Sequence, residues 1–344
     1  MKKILAALLV VTVALASCTK NQDITFPDFD YQTVYFASQF PVRTVELGED
    51  LIVDNSLDNE WKVSIKATVG GTRTNPRNVA INFEVDESLL NGLYFSPTGA
   101  KILPMPASYY KLASNTITIP AGQLLGGVEV QFTEAFFNDP LSIVNTYAIP
   151  LAMKSVQGAD SILRGSPNVS NPNRYVDAHW AVKPRDFILY AVKFVNPWHG
   201  FYLRRGKDVI VGTPGNSALD RTVTRRKEFV EQDEVKATTT KSLRQVELPL
   251  VFPNASGTNI PMNLLLNFDD KGNCTVAASG TGYTATGTGQ FVKRGDKNSW
   301  GAQDRDVLHL QYSIDHPLMK ITSNDTLVMR NRGVSPEYFT PVIR

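Results

Sequence analysis

Trp61-Lys62-Val63-Ser64-Ile65-Lys66-Ala67-Thr68-Val69 is the stretch that decides the fold class. Apolar residues alternate with polar ones at period two, the pattern of a strand with one buried face and one wet face. Gly70-Gly71 stops the run. Downstream, Val79, Ile81, Phe83 and Val85 repeat the alternation. Upstream, Val34 and Phe36, then Val42, Val45 and Leu47, suggest a broken first strand. Between Val34 and Val85 no stretch carries the spacing of a useful amphipathic helix. The expectation is an all-β chain.

Further along, Thr116-Ile117-Thr118-Ile119 reads as a strand, Pro120-Ala121-Gly122 as its turn, and Val128 to Phe132 as the returning strand. This strand, turn and strand resembles extracellular immunoglobulin-like sandwiches. Tyr147, Ile149 and Leu151 make another strand. Residues 157–185 are punctuated by Gly, Pro and Asn and read as a long loop, while Phe187 to Phe194 supplies the seventh strand of an Ig-type sandwich. The division is therefore an Ig-like β-sandwich over 28–195 and a second domain over 196–344.

From Gly200 the strands read as one sequential meander. They are Phe201 to Val211, Phe229 to Thr239, Leu243 to Phe252, Met262 to Phe268, Cys274 to Ala278, Tyr283 to Val292, Val307 to Ile314 and Thr326 to Arg330. Asp269-Asp270-Lys271-Gly272-Asn273 is a hairpin turn. Eight strands with short connections suit an antiparallel barrel, because closure removes both sheet edges. Gly200-Phe201-Tyr202 resembles the entry of lipocalin-like barrels. An eight-stranded calycin or lipocalin-like barrel is expected, with a second β-sandwich as the alternative.

The N-terminus sets the compartment. Met1-Lys2-Lys3 precedes an apolar run from Ile4 to Ala16, and Leu15-Ala16-Ser17-Cys18 resembles a bacterial lipobox. In such signals the cysteine receives the lipid and begins the mature chain. Residues 1–17 are then a lipoprotein signal peptide, Cys18 the lipidation site, 18–27 a tether, and the membrane a partner. Removing Lys2 and Lys3 leaves 33 basic residues of 35 against 33 acidic ones. A neutral chain lacks the basic face that nucleic acid requires. Cys274 is the other cysteine and reads as a small packing residue.

Lipobox, the Ile119-Pro120-Ala121-Gly122 turn, and a β domain opening at Asn196-Pro197-Trp198-His199-Gly200 together resemble a Bacteroidota envelope lipoprotein family. Its N-terminal Ig-like domain and its C-terminal barrel are both of unknown function. Relatives of the first domain occur on lipoproteins of glycan-utilisation systems, which implies an outer-membrane location near carbohydrate, on either membrane face, with transporter components as partners.

Catalytic signatures are absent from the sequence. There is no G-x-S-x-G elbow, no H-E-x-x-H and no zinc spacing among His179, His199, His309 and His316. No glycine-rich phosphate loop implies a nucleotide, so no cofactor and no metal is expected. Asp304-Arg305-Asp306 and Asp269-Asp270 are the densest acidic pairs and both sit at turns. Aromatics in loops and at strand ends carry what signal remains. Trp180 is one, and Trp198, Tyr202, Tyr283 and Trp300 are assigned as the ligand-binding set, able to stack on a sugar ring. The expected function is a non-catalytic, lipid-anchored glycan-binding protein. The alternatives are an assembly module of an outer-membrane uptake complex and a cryptic glycoside hydrolase.

Overall fold

The computed structural model describes residues 29–344. Cys18, the signal peptide and the tether lie outside the described residues. Eight main strands build the first half: β1 (Thr33–Tyr35), β2 (Pro41–Glu46), β3 (Lys62–Gly70), β4 (Val79–Val85), β5 (Thr116–Ile119), β6 (Leu125–Phe132), β7 (Tyr147–Gln157) and β8 (Phe187–Val195). They pair in the order β1-β3-β6-β5-β4-β7-β8-β2. A single pairing, Thr118 with Gly127, joins β5 to β6, and there the sheet folds over into two layers. Val63, Ile65, Ala67 and Val69 bury the apolar face of β3 against Ile81, Ile149 and Phe194 from the opposite layer.

The broken first strand proves to be two strands in different layers. β1 pairs antiparallel with β3, whereas β2 runs parallel beside β8. The break follows from two destinations: Phe36 enters the central core, while Val42 packs in a second cluster with Leu89, Phe187 and Phe339. β8 serves both clusters, which explains its unbroken apolar run. The Pro120-Ala121-Gly122 turn is held from outside. Gly122 adopts φ +80°, its N–H donates to the Asn75 carbonyl at 2.7 Å, and the Ala121 N–H donates to Asn78 Oδ1 at 2.9 Å. Residues 157–185 are laid on the sandwich, with Ser161–Ile162 parallel to β1 and Trp180–Val182 paired with Ser166–Pro167.

The barrel comprises β9 (Gly200–Gly212), β11 (Glu234–Ser242), β12 (Gln245–Leu248), β13 (Leu264–Phe268), β14 (Asn273–Ala278), β15 (Thr284–Asp296), β16 (Arg305–His316) and β17 (Met319–Asn331). Each pairs antiparallel with the next, and β17 returns to β9 to close the ring. β10 (Arg221–Arg225) lies beside the far half of β9. Leu266, Phe268, Leu310, Ile314 and Leu327 fill the lumen, which is a packed core. Cys274 sits in that core, and burial pushes its thiol up to about 12. After β17 the chain returns to the sandwich. Glu337–Tyr338 pairs with β2, and Val342–Ile343 with Leu93–Tyr94.

Candidate functional site

Asn196 and Arg332 fix the two halves against each other. The Asn196 side-chain amide donates to the carbonyls of Ser242 and Gln245, and its backbone N–H donates to Thr240 Oγ1. Arg332 donates to the carbonyls of Leu47 and Asn196 at 2.9 and 2.7 Å, and its Nε to that of His199 at 2.8 Å. Gly48 lets the chains meet, since a Cβ there would fall 2.9 Å from Pro197. Leu243, in the β11–β12 turn, packs on the sandwich core.

Beside this joint lies a cleft of about 690 Å³. Trp61 forms part of its sandwich wall, and the turn at Asp269 to Gly272 with Gln290 and Lys293 forms the barrel wall. Trp61 stands at φ +59°, a left-handed conformation uncommon for a bulky residue. One side of its indole contacts Phe137 at 4.6 Å between ring centroids. Asn59 locks the approach to this residue by accepting from the Gly48 N–H and donating to the carbonyls of Gly48 and Asn55. Arg244 and Asp270 form an exposed ion pair at 2.6 Å on the facing wall.

The four aromatics assigned from sequence are not brought together. Tyr202 has no exposed surface, and its hydroxyl donates to the Trp198 carbonyl at 3.0 Å, so it is a core residue. Trp198 borders the cleft but is buried, its ring stacked on Phe268 at 4.1 Å and 8°. Tyr283 stands at the opposite end of the barrel, donating to the Asn263 carbonyl at 2.6 Å. Trp300 is half-buried against Leu203, Val307 and Val328, with the Arg305 guanidinium 3.7 Å above its ring. These placements correct the assignment: Gly and Asn around the aromatics mark turns that cover a core. Trp180 is likewise engaged, its indole N–H donating to the Asn173 carbonyl. The alternating pattern begins at Trp61, whereas β3 begins at Lys62; the positive φ of Trp61 carries no sequence signal.

The acidic pairs are occupied by their own turns. Asp269 accepts from the Asn273 amide and from the N–H groups of Lys271 and Asn273, which hold its carboxyl below the usual range. Lys297, with the Asn298 N–H, does the same for Asp304. Among the described residues no cluster of three or more His, Cys, Asp or Glu could hold a metal. The cleft lining consists of aromatic, aliphatic, amide and charged groups and suits reversible binding of a small polar ligand.

Residues 197–333 match the model of a domain of unknown function, DUF5627, and residues 29–160 match a model described as an N-terminal domain. A solved Bacteroides ovatus protein of unknown function is 47% identical, with a TM-score of 0.87 over 92% of this chain and 100% of that one. A Bacteroides thetaiotaomicron structure described as an auxiliary nutrient binding protein matches at 11% identity and TM-score 0.40, over 84% of this chain and 90% of that one. No curated protein matches the sequence.

Proposed function

The chain belongs to the same family as the Bacteroides ovatus protein of unknown function, and from that premise we propose that it binds glycan in the cleft beside the joint. The observation that carries this reading is the cleft's chemistry. Trp61 offers an aromatic ring backed by Phe137, while Gln290, Arg244 and Asp270 surround it with hydrogen-bonding groups. Sugar recognition in water uses that combination: an apolar face stacks on pyranose C–H groups and polar groups fix orientation. The proposal includes lipid attachment at Cys18, an outer-membrane location and an Ig-like sandwich that supplies Trp61 to the site. It also places the domain division at 196 and the protein beside transporter components of a polysaccharide-utilisation system, with no catalytic step.

Binding is tested by a glycan array followed by calorimetry on the hit. Trp61→Ala should weaken binding by roughly 1–3 kcal/mol, the scale of a lost aromatic anchor. Since Trp61 also packs on Phe137, Arg244→Ala is the cleaner variant: its exposed side chain should leave Tm unchanged while binding weakens. No glycan hit, or two variants with undiminished affinity, would sink the reading.

A second reading, a protein-interaction module of an uptake complex, is supported by one feature. Leu51, Ile52 and Val53 form an exposed apolar run, with Ile52 84% exposed. Pull-down of envelope proteins that is lost on replacing Ile52 by Asp would favour it.

A further inference from the structure

We propose that the outer wall of the barrel formed by β15, β16 and β17 continues the cleft as a hydrogen-bonding track for a neutral polysaccharide chain, an inference that rests on the glycan reading and extends it to a polymer. The wall holds a groove of about 570 Å³. Its floor is two rows set by strand register: Thr286 opposite Ser313 opposite Thr322, and Thr288 opposite Gln311 opposite Asn324. All six side chains are neutral and can both donate and accept. Among the described residues, none of the six makes a side-chain hydrogen bond to another protein group.

Polarity alone is what any wet face of an antiparallel sheet shows. The other side of the same barrel supplies the contrast. There Lys241 pairs with Glu247 at 2.9 Å, Gln245 donates to Asn267 at 2.6 Å, and Ser279 donates to Glu247 at 2.6 Å. Those groups satisfy one another; on the β15–β17 wall His309 meets Thr326 at 3.3 Å and Lys320 pairs with Asp315, but the six floor groups between them are left open.

The occupant follows from charge, polarity and continuity. Lys207, beside Asn324 at one edge, is the groove's single charged group, and the six floor residues carry none, so no row of cations repeats along the track to select a polyanion. Apolar side chains are nearly missing, with Val209 at one edge, so a protein partner would find no anchor to bury. A neutral polyhydroxylated chain matches the mixture of hydroxyls and amides. The wall also runs into the cleft, because Gln290, the next outward residue of β15 after Thr288, lines it. Gln290 stands opposite His309, and His309 opposite Thr326, so a third polar row bridges the two. From Gln290 to Thr286 the track is roughly 13 Å long at ~3.3 Å per residue.

The test compares soluble neutral polysaccharides (mannan, arabinoxylan and mixed-linkage β-glucan) in affinity gels with their di- and trisaccharides by calorimetry. The protein is compared with the double variant Gln311→Ala/Asn324→Ala and with Thr288→Val, each checked for unchanged Tm. The expected result is polymer binding weakened at least roughly tenfold, the loss when one or two neutral hydrogen bonds go, with short sugars bound as before. Undiminished polymer binding by the wall variants overturns the track while leaving the cleft reading intact. Equal loss of polymer and short sugars also overturns it, since the wall would then act through the cleft. Failure of the unaltered protein to bind any of these glycans removes both readings.

Discussion

The sandwich and the barrel bury charge in opposite ways. In the sandwich the central core is wholly apolar, with Phe132, Phe136, Phe137 and Phe194 packed ring against ring. Its buried carboxylates stay at the margins, where Asp58 meets Arg43 and Asp186 meets Arg164 and Arg174. In the barrel the inward face of β9 carries Arg204 and Asp208 between Tyr202 and Ile210. Arg204 Nε donates to Asp325 at 2.9 Å, and its Nη2 donates to the Tyr312 hydroxyl at 3.0 Å. The Arg225 Nη2 donates to Asp208 at 2.9 Å and to Asp325 at 2.6 Å, and the Ser323 hydroxyl donates to Asp208 at 2.6 Å. Two β units of similar size thus reach a filled interior by different means. Both remove apolar area from water, but the barrel adds to its packed core a hydrogen-bonded ion network that the sandwich core lacks.

Removing one member of the network should have the largest effect. Asp325→Ala leaves Arg204 and Arg225 buried without their shared partner, and a broken buried pair costs about 3–5 kcal/mol. Phe137→Ala in the sandwich should cost a similar amount through cavity formation. Double-mutant cycles with Arg204→Met separate them. If the comparison is right, the Asp325→Ala cost changes when Arg204 is already replaced, while the Phe137→Ala cost does not. Additive costs in both cycles would break it.

The same contrast explains what could be read in advance. β3 and β4 alternate cleanly because one face is buried and the other wetter, so period two is visible in the residues. The hairpin at Asp269 to Asn273 and the turn at Gly122 announce themselves through glycine at positive φ. The ion network was not legible. Arg204 and Asp208 sit at inward positions of a strand whose polar residues ordinarily point to water, and only closure of the ring supplies their partners. The returning tail was equally hidden, since two-residue pairings such as Glu337–Tyr338 with β2 have no period to detect. That the four assigned aromatics lie apart, with Tyr202 and Trp198 buried, was hidden for a related reason: a tryptophan among Gly, Asn and Ser looks the same whether it lids a core or faces solvent.

Trp300 gives a smaller test of that last point. Its ring lies between Leu203, Val307 and Val328 on one side and the Arg305 guanidinium on the other. Trp300→Ala should cost roughly 2 kcal/mol, below a fully buried tryptophan because part of the ring is already wet, with a share from the lost cation–π contact. Glycan affinity should hold. Affinity loss with an unchanged Tm would return Trp300 to the binding surface.

The smallest effect is expected at the joint, where the two regions meet. Glu46 and His199 both lie near Arg332, and burial moves them in opposite directions. Burial raises the Glu46 carboxyl from 4.5 to about 7, against the opposing pull of Arg332. Burial, then the Arg332 charge, lowers the His199 imidazole from 6.5 to about 4. A raised carboxyl gives stability that is full below 4.5 and fades as pH climbs to about 7, because the fold prefers the neutral form. A lowered imidazole gives stability that is full above 6.5 and fades as pH falls to about 4. Between 4.5 and 6.5 the two slopes oppose, so the joint's contribution should be nearly flat, with losses at either side of that range. Glu46→Gln removes the alkaline arm: relative to the unaltered protein it should gain on the order of 1 kcal/mol between pH 5 and pH 8, tempered by the lost ion pair to Arg332. Thermal unfolding across that range reads the difference directly. A variant that instead loses stability as pH rises would mean that Glu46 is charged in the fold, with the ion pair to Arg332 outweighing burial.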